Sequence, residues 1–226
     1  MATFPPRLEQ LQHSLPSIAR QVDRVDLILN EYPEIPAFLA GFANVNPIIP
    51  VQDTKDAGKF LPAAKDDDLV FLADDDLLYA PEYVQVFLDE GTRLGLQNHV
   101  LGLHGTLYKR RLKSLRSRSR FPYAKRLKKS IVVDQLGTGT VMVKGGNMPS
   151  FAQMNKAQKF VDVRFASLCR QAGLSLVAIA RPSRLAVTIH GDGQSIYESF
   201  TRTSPDHVLQ EVRSFAGQDP LLHKKI

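Results

Sequence analysis

The sequence predicts a single-domain α/β protein with a mixed, mostly parallel central sheet flanked by helices. The main observation is the uncharged, mostly apolar run at residues 69–73, which is typical of a strand buried on both faces of a parallel sheet. A second is the order of patterns at the start of the chain, where a short extended segment, a helical stripe at residues 8–22 and an apolar run at residues 25–30 follow one another. That order predicts a strand–helix–strand unit. The length of 226 residues suits one such domain with a sizeable core.

The composition narrows the class of protein further. Hydrophobic residues make up 43% of the chain, which is ordinary for a globular protein. No apolar run reaches the ~18 residues of a membrane-spanning helix, and the N-terminus does not read as a secretory signal. Cys169 is the single cysteine, which excludes an intrachain disulfide and a zinc site built from cysteines. We therefore expect a cytoplasmic protein.

Apolar periodicity predicts the other elements in order. The stripe at residues 8–22 predicts an amphipathic helix that Pro16 kinks or splits. Pro50 confines the apolar segment at residues 48–51 to a sheet edge. A helix is expected to begin at Pro81, with Glu82 in its first turn. Further strands are predicted at residues 100–103, on both sides of residues 137–140, at 174–180 and at 185–189, and further helices at 160–172 and, weakly, 196–215.

Three consecutive carboxylates, Asp74, Asp75 and Asp76, follow the apolar run at residues 69–73. Because open α/β sheets bind ligands at the carboxyl ends of their strands, we expect the triplet to lie in a binding cleft. Adjacent carboxylates repel one another, and Mg²⁺ or Mn²⁺ bridging a diphosphate relieves that cost with few protein carboxylates. The triplet therefore predicts a divalent-cation site that serves a diphosphate, with a solvated acidic turn as the alternative.

The triplet resembles the Asp-x-Asp motif of nucleotide-sugar glycosyltransferases with the GT-A fold, read here as Asp74-x-Asp76. The resemblance implies that Asp76 holds Mn²⁺ or Mg²⁺, that Asp74 holds the metal or the ribose, and that Asp75 belongs to the donor site. Many enzymes of this kind use a late histidine as a further metal ligand, and His190 is the candidate here. Imidazole suits Mn²⁺ better than Mg²⁺.

Residues 53–60 resemble an Asp-x-x-Asp-Ala-Gly-Lys-Phe-like stretch in bacterial polysaccharide glycosyltransferases, which implies contact with the nucleotide. Lys59 can meet a diphosphate and Asp53 or Asp56 a base or ribose, while Gly58 allows close backbone approach. A polar surface loop is the alternative. The resemblance extends from the Pro-Pro-Arg sequence near the N-terminus to His190, and the donor site assigned with it also includes Pro5, Arg7 and Asn30.

Residues 137–140, Gly-Thr-Gly-Thr, lie between two strand-like segments. The glycines let the backbone approach a ligand, and the spacing is not that of the dinucleotide-binding fingerprint. The segment resembles one in the same bacterial enzymes that lies where donor sugar and acceptor meet. We therefore assign Gly137, Thr138 and Gly139 to the sugar and acceptor site, together with His104, for which a structural role at a strand end is the alternative.

Asp162 opens the helix predicted at residues 160–172. The helix dipole favours an acidic residue there in any protein, so a structural role is one interpretation. In inverting GT-A enzymes a carboxylate at this helix start is the catalytic base, and the resemblance gives that role to Asp162. Asp134 is the alternative base.

Residues 109–129 hold eleven Lys and Arg and no acidic residue. Subtracting these eleven from the 29 basic residues leaves 18 against 23 acidic ones, so the rest of the chain carries −5. Such a segment is expected to be exposed, and we predict that it meets an anionic membrane surface or an acidic acceptor, with a solubilising insertion as the alternative. Two aromatic residues and no nucleic-acid motif accompany it, which argues against nucleic acid.

The expected protein is thus a single GT-A-like, Rossmann-related domain spanning residues 1–226. It is expected to transfer a sugar from a nucleoside-diphosphate sugar, with UDP as the expected nucleotide, to a glycan or lipid-linked acceptor of bacterial surface polysaccharide, with inversion, on the inner membrane face. A polyanion-binding module and a nucleotidyltransferase are the alternatives. The expected divisions are a nucleotide-binding half (1–103), the basic insertion (109–129), an acceptor half (130–193) and a C-terminal tail (194–226).

Overall fold

A computed structural model describes residues 1–189, 204–222 and 226. The strands are β1 (Ala2–Thr3), β2 (Val25–Leu29), β3 (Val45–Ile48), β4 (Leu69–Ala73), β5 (Leu77–Tyr79), β6 (His99–Gly102), β7 (Gly105–Tyr108), β8 (Arg118–Phe121), β9 (Ile131–Val133), β10 (Gln135–Leu136), β11 (Thr140–Lys144), β12 (Ser175–Ala178) and β13 (Ala186–Thr188). The α-helices are α1 (Leu8–Ala19), α2 (Tyr83–Leu94), α3 (Phe151–Met154), α4 (Val161–Gln171) and α5 (Asp206–Phe215). Short 3₁₀ helices occupy Pro5–Arg7, Ala37–Gly41, Lys55–Phe60, Gly145–Asn147 and Asn155–Ala157.

The fold is mixed α/β, and its sheets meet beside the acidic triplet. β1, β2 and β3 form a parallel sheet in that order, and the strand–helix–strand unit predicted at the start of the chain is confirmed. The central sheet has the order β4-β11-β6-β12-β9. A parallel bridge between Ala2 and Asp74 joins the end of β1 to the end of β4.

The expectation of a mixed, mostly parallel central sheet is met only in part, because the sheet is mixed and several of its strand pairs are antiparallel. β6 and β12 run parallel, whereas β11 is antiparallel to both β4 and β6, and β9 is antiparallel to β12. The apolar run of β4 suggested parallel neighbours because parallel strands are usually covered on both faces. Here helices cover both faces of the antiparallel pair of β4 and β11. An apolar composition of β4 is therefore compatible with an antiparallel neighbour as well. β4 is also less buried than predicted, since its first residue, Leu69, is 41% exposed.

Two apolar cores lie on opposite faces of the central sheet. Neighbouring strand residues alternate between them, as Leu176 and Val177 of β12 do. One core includes residues of α1 and α2, and the other includes residues of α4 and α5. We call these the α1/α2 face and the α4/α5 face. The layered arrangement leaves the carboxyl ends of the strands free to form a cleft.

Several boundaries differ from the expectations. α1 is one continuous helix that contains Pro16, so of the two expectations, a kink or a split, the split is wrong. β3 includes Pro47 and ends before Pro50, and it lies at the edge of its sheet as a proline-containing strand should. β5 separates the acidic triplet from α2, which begins at Tyr83 instead of Pro81.

The C-terminal helix α5 is better formed than the weak pattern suggested, because Val208, Leu209, Val212 and Phe215 bury one of its faces. Among the described residues, no helix is long and apolar enough to cross a membrane.

Candidate functional site

The candidate site is a cleft of about 500 Å³ at the carboxyl ends of β1, β2 and β4. β2 and β3 continue the sheet on one side of β1, whereas β11 and the rest of the central sheet continue on the far side of β4. The strand order therefore reverses between β1 and β4. Open α/β sheets bind ligands at such a switch point, outside the carboxyl ends of the strands.

The acidic triplet lies at this switch point, as predicted from its place after β4. Asp74, Asp75 and Asp76 all line the cleft. Arg7 Nη1 lies 2.7 Å from Asp76 Oδ2 and 3.4 Å from Asp75 Oδ1. Asp74 forms an ion pair with Lys59. Two basic side chains thus face three adjacent carboxylates.

Lys59 is the most buried of these charges, with 5% of its side chain exposed. Burial alone would lower the pKa of its ammonium group, but attraction to Asp74, Asp162 and Asp56 raises it above the ordinary value. Burial raises the pKa of Asp75 to about 6, although the Arg7 guanidinium acts in the opposite direction. The site therefore holds a protonated lysine close to the Asp75 carboxyl, which burial makes costly to ionise.

Asp74 is held in place by β5 and by the Gly-Thr-Gly-Thr segment. The Asp74 N–H donates to the Tyr79 hydroxyl (2.8 Å), and that hydroxyl donates to the carbonyl of Gly139 (2.9 Å). A Cβ atom on Gly139 would lie 2.0 Å from Asp74 Oδ2. Gly139 is therefore needed for the packing of Asp74, a role that the sequence did not reveal.

Asp162 lies in the first turn of α4, as predicted, and lines the same cleft. Its Oδ1 accepts hydrogen bonds from the Thr138 N–H (2.8 Å) and the Thr138 hydroxyl (2.7 Å). No described group donates to Oδ2, which is left to accept a proton. Burial raises the pKa of Asp162, and the bonds from Thr138 and the charge of Lys59 oppose that rise.

Residues 53–60 line one wall of the cleft, and Asn30 holds that wall in place. Asn30 Oδ1 accepts from the Thr54 N–H (2.9 Å) and hydroxyl (2.7 Å), and its Nδ2 donates to the carbonyl of Lys55 (3.1 Å). Asn30 also lines the cleft, but its amide is committed to this loop. Asp53 accepts from the Lys55 N–H (2.8 Å) and lies 3.0 Å from its ammonium group.

Gly58 is not among the described residues that line the cleft, and its close packing is within the protein. A Cβ atom there would lie 2.4 Å from Thr54 Oγ1 and 3.0 Å from Ile28 Cγ2. The close approach is therefore between the loop and β2. Asp56, by contrast, does line the cleft, where it accepts from the Lys159 N–H at 2.7 and 3.0 Å.

Several candidates from the sequence are not among the described residues that line the cleft: Pro5, His104, Asp134, Gly137 and Gly139. Asp134 is buried, and its oxygens accept from the N–H groups of Tyr108 (2.8 Å) and Gly217 (2.7 Å), so the structure gives it a structural role. Burial and nearby arginines lower the pKa of His104 to about 4, so its ring is neutral at physiological pH. His190 lies outside the described residues.

Part of the cleft wall consists of residues that the sequence did not indicate. Tyr108 and Gln135 line it and are joined by a hydrogen bond of 2.6 Å from the tyrosine hydroxyl to the glutamine Oε1. Arg118, in β8, pairs across the sheet with Tyr108 and also lines the cleft. The basic segment therefore reaches the site at its β8 strand. No periodicity signals this, because Arg118 is one of many basic residues in its neighbourhood.

The charges of the cleft do not balance. Among the described residues that line it, seven carboxylates face five basic side chains, a formal charge of −2. The carboxylates are Glu31, Asp53, Asp56, Asp74, Asp75, Asp76 and Asp162, and the basic residues are Arg7, Lys55, Lys59, Arg118 and Lys159.

Within the described part of the chain, no three or more His, Cys, Asp or Glu side chains form a ready metal cluster. Mg²⁺ usually takes one or two carboxylates and completes its shell with waters and substrate phosphates. The residues present fit that mode of binding, since Asp74 and Asp76 are partly exposed at the cleft and the cleft carries uncompensated negative charge.

Comparison with known proteins does not assign the chain to a family: a scan against protein-family models finds no match, and a search of curated proteins finds no similar protein.

Proposed function

We propose that the protein is a metal-dependent glycosyltransferase with a single GT-A-like domain. It transfers a sugar from a nucleoside-diphosphate sugar, with UDP as the expected nucleotide, to a glycan or lipid-linked acceptor in bacterial surface polysaccharide synthesis. One observation carries the proposal: the Asp74–Asp76 triplet and Asp162 face the same cleft at the switch point of the sheet. A leaving-group site and a candidate base are thereby combined in one cavity of a size that suits a nucleotide sugar.

The donor diphosphate binds beside Arg7 and Lys59 in this proposal. Both side chains point into the cleft and are held there by the carboxylates of the triplet. A guanidinium group matches phosphate oxygens with two parallel donors, and the buried ammonium group adds a point charge in a poorly solvated place. The loop at residues 53–60 faces the base and ribose, where Asp53 and Asp56 offer acceptors.

Asp76 and Asp74 would hold Mn²⁺ or Mg²⁺ together with the diphosphate oxygens. The metal, when bound, neutralises the charge that grows on the leaving diphosphate. The role of His190 as a further ligand stays a prediction. Neutral imidazole and carboxylate oxygens are ligands that Mn²⁺ accepts.

Asp162 acts as the base in this proposal. Thr138 fixes Oδ1 through two hydrogen bonds, so Oδ2 is oriented and free to take the proton of the acceptor hydroxyl. A carboxylate whose pKa is raised by burial is a stronger base than an exposed one. A base opposite the leaving diphosphate leads to inversion at the sugar.

Thermal unfolding with UDP tests the donor and metal assignments. A ligand that binds only the folded state raises the melting temperature, so UDP with Mn²⁺ should stabilise the protein more than either alone. Asp76→Ala should abolish the joint effect, whereas Asp67→Ala, which removes an exposed carboxylate before β4, should keep it. An unchanged effect in Asp76→Ala, or in the presence of a chelator, would show that the metal assignment is wrong.

A further inference from the structure

Two unusual exposed surfaces flank the mouth of the cleft. The first, which we call the basic rim, comprises residues 109–129. The second, the apolar rim, comprises Ile49 and Val51, which follow β3. The donor-binding residues proposed above, Arg7, Lys59 and residues 53–60, belong to neither rim.

The basic rim is exposed and is continuous with the cleft. Ten of its eleven Lys and Arg residues have exposed side chains. Arg118 and Leu115, from the same segment, line the cleft itself. The rim follows β7, which comes directly after β6, on the far side of β4 from β1. It therefore lies on one side of the switch point.

The apolar rim lies on the other side of the switch point. β3 runs parallel to β2 and β1, so the chain leaves it at the edge of the sheet where the cleft opens. Val51 is fully exposed and Ile49 is 41% exposed. Residues 44–52 carry no charge, and Asp53 and Lys55 line the cleft immediately afterwards.

We infer that these two rims dock the mouth of the cleft onto an anionic lipid bilayer, so that the acceptor is lipid-linked. The inference rests on the proposed glycosyl transfer for its statement about the acceptor. Basic side chains are attracted to anionic headgroups, and exposed aliphatic side chains enter the boundary between headgroups and acyl chains. Stable attachment of a peripheral protein generally takes two such signals, and the chain offers one on each side of the cleft.

The arrangement also favours a bilayer over a soluble polyanion. A soluble polyanion would be bound by the basic rim alone and would leave Ile49 and Val51 in water. A bilayer covers both rims at once and directs the Asp162 side of the cleft, which Arg118 borders, toward the membrane surface. A lipid-linked acceptor then reaches the base without leaving the bilayer.

The test is vesicle binding at low salt, monitored by tryptophan fluorescence. The chain has no tryptophan, so Val51→Trp provides a single reporter on the apolar rim. Leu69→Trp is the control, because Leu69 is another aliphatic residue with an exposed side chain but lies at the amino end of β4, away from the cleft. We expect phosphatidylglycerol vesicles to shift the emission of Val51→Trp to shorter wavelength and to leave that of Leu69→Trp unchanged. Phosphatidylcholine vesicles should affect neither.

Co-sedimentation of two further variants separates the two rims. Lys109→Gln/Arg111→Gln/Lys113→Gln should reduce binding to anionic vesicles by at least about tenfold, because each basic residue contributes to headgroup attraction. Ile49→Ser/Val51→Ser should also reduce it about tenfold through lost apolar burial. Arg20→Gln/Arg24→Gln/Lys65→Gln removes the same number of charges from exposed positions before β2 and β4 and should have little effect.

The inference would be overturned if the protein did not bind anionic vesicles, or if the rim variants bound them as well as their controls. It would also be overturned if binding needed only the basic rim and were displaced by soluble polyphosphate or single-stranded RNA. Stabilisation by UDP with Mn²⁺ should be the same in all these variants. Stabilisation without vesicle binding would contradict the docking and leave the proposed function standing. Vesicle binding without stabilisation would contradict the proposed function and the lipid-linked acceptor with it.

Discussion

The absence of a side chain at Gly139 leaves the space that the Asp74 carboxylate occupies. A methyl group at this residue would lie 2.0 Å from Asp74 Oδ2, so Gly139→Ala must displace the Asp74 carboxylate from Lys59. We expect Gly139→Ala to weaken binding of UDP with Mn²⁺ by at least about tenfold, with a loss of about 1–3 kcal/mol of stability from overpacking. Titration calorimetry and chemical unfolding measure the two effects.

Gly41→Ala is the control for that substitution. A Cβ atom at Gly41 has no neighbour within 4 Å, so nucleotide binding and stability should both stay close to the parent values. Normal binding in Gly139→Ala would mean that Asp74 can move without loss, and would remove it from the donor site.

Asp162 combines a fixed oxygen with a free one, and Asp162→Asn separates its two possible roles. The amide can still accept hydrogen bonds from Thr138, so we expect normal donor binding and a stability change of at most about 1 kcal/mol. It cannot take a proton, so sugar transfer should fall by roughly a hundredfold or more. Donor binding and turnover are measured on the same preparation. Near-normal turnover in Asp162→Asn would show that Asp162 only stabilises the start of α4 and does not act as the base.

The pH dependence of the proposed sugar transfer provides an independent check on Asp162. A base must be ionised to act, and burial raises the pKa of this carboxyl above the ordinary value of 3.8. Activity should therefore be lost on acidification at a pH above 3.8, and the group responsible should have the low ionisation enthalpy of a carboxyl. If the group whose protonation abolishes activity had the higher ionisation enthalpy of a histidine, the assignment of Asp162 as the base would be contradicted.

At the scale of elements, Asp134 illustrates how a carboxylate can join distant segments. It connects the end of β7, through the Tyr108 N–H, to Gly217 after α5. In Asp134→Ala both N–H groups lose a buried acceptor, so we expect a loss of about 2–4 kcal/mol of stability. Donor binding and transfer should persist at temperatures where the variant is folded. A folded Asp134→Ala protein without activity would restore Asp134 as the alternative base.

The same scale shows what the sequence can and cannot predict. The strand before the acidic triplet, the helix with Asp162 in its first turn and the first strand–helix–strand unit could be predicted because each depends on local periodicity. The antiparallel insertion of β11 between β4 and β6 could not, since an apolar strand buried on both faces has the same composition in either direction. The contact between Gly139 and Asp74 joins residues that are far apart in the chain, and only the assembled sheet reveals it.

At the scale of the whole molecule, the site depends on the sheet as a single body. The cleft draws residues from the ends of β1, β2 and β4, from β8 and from the start of α4, and these elements pack into both cores of the protein. The sheet separates the two cores, but its strands contribute side chains to each. We therefore expect the α1/α2 face and the α4/α5 face to unfold together as one domain.

Thiol labelling can test this last prediction on both faces with the same chemistry. Cys169 is buried on the α4/α5 face, and burial raises the pKa of its thiol to about 12, so the folded protein should not react at pH 8. In a Cys169→Ala background, Ala19→Cys places a thiol at a buried position on the α1/α2 face. In each protein, the urea concentration at the labelling midpoint should coincide with that of the far-ultraviolet circular dichroism, as two-state unfolding requires. Because each variant is compared with its own circular dichroism, a small loss of stability from the substitution does not affect the result.

Labelling of either thiol at a urea concentration well below the circular-dichroism midpoint would show that its face opens separately. That result would contradict a single cooperative domain.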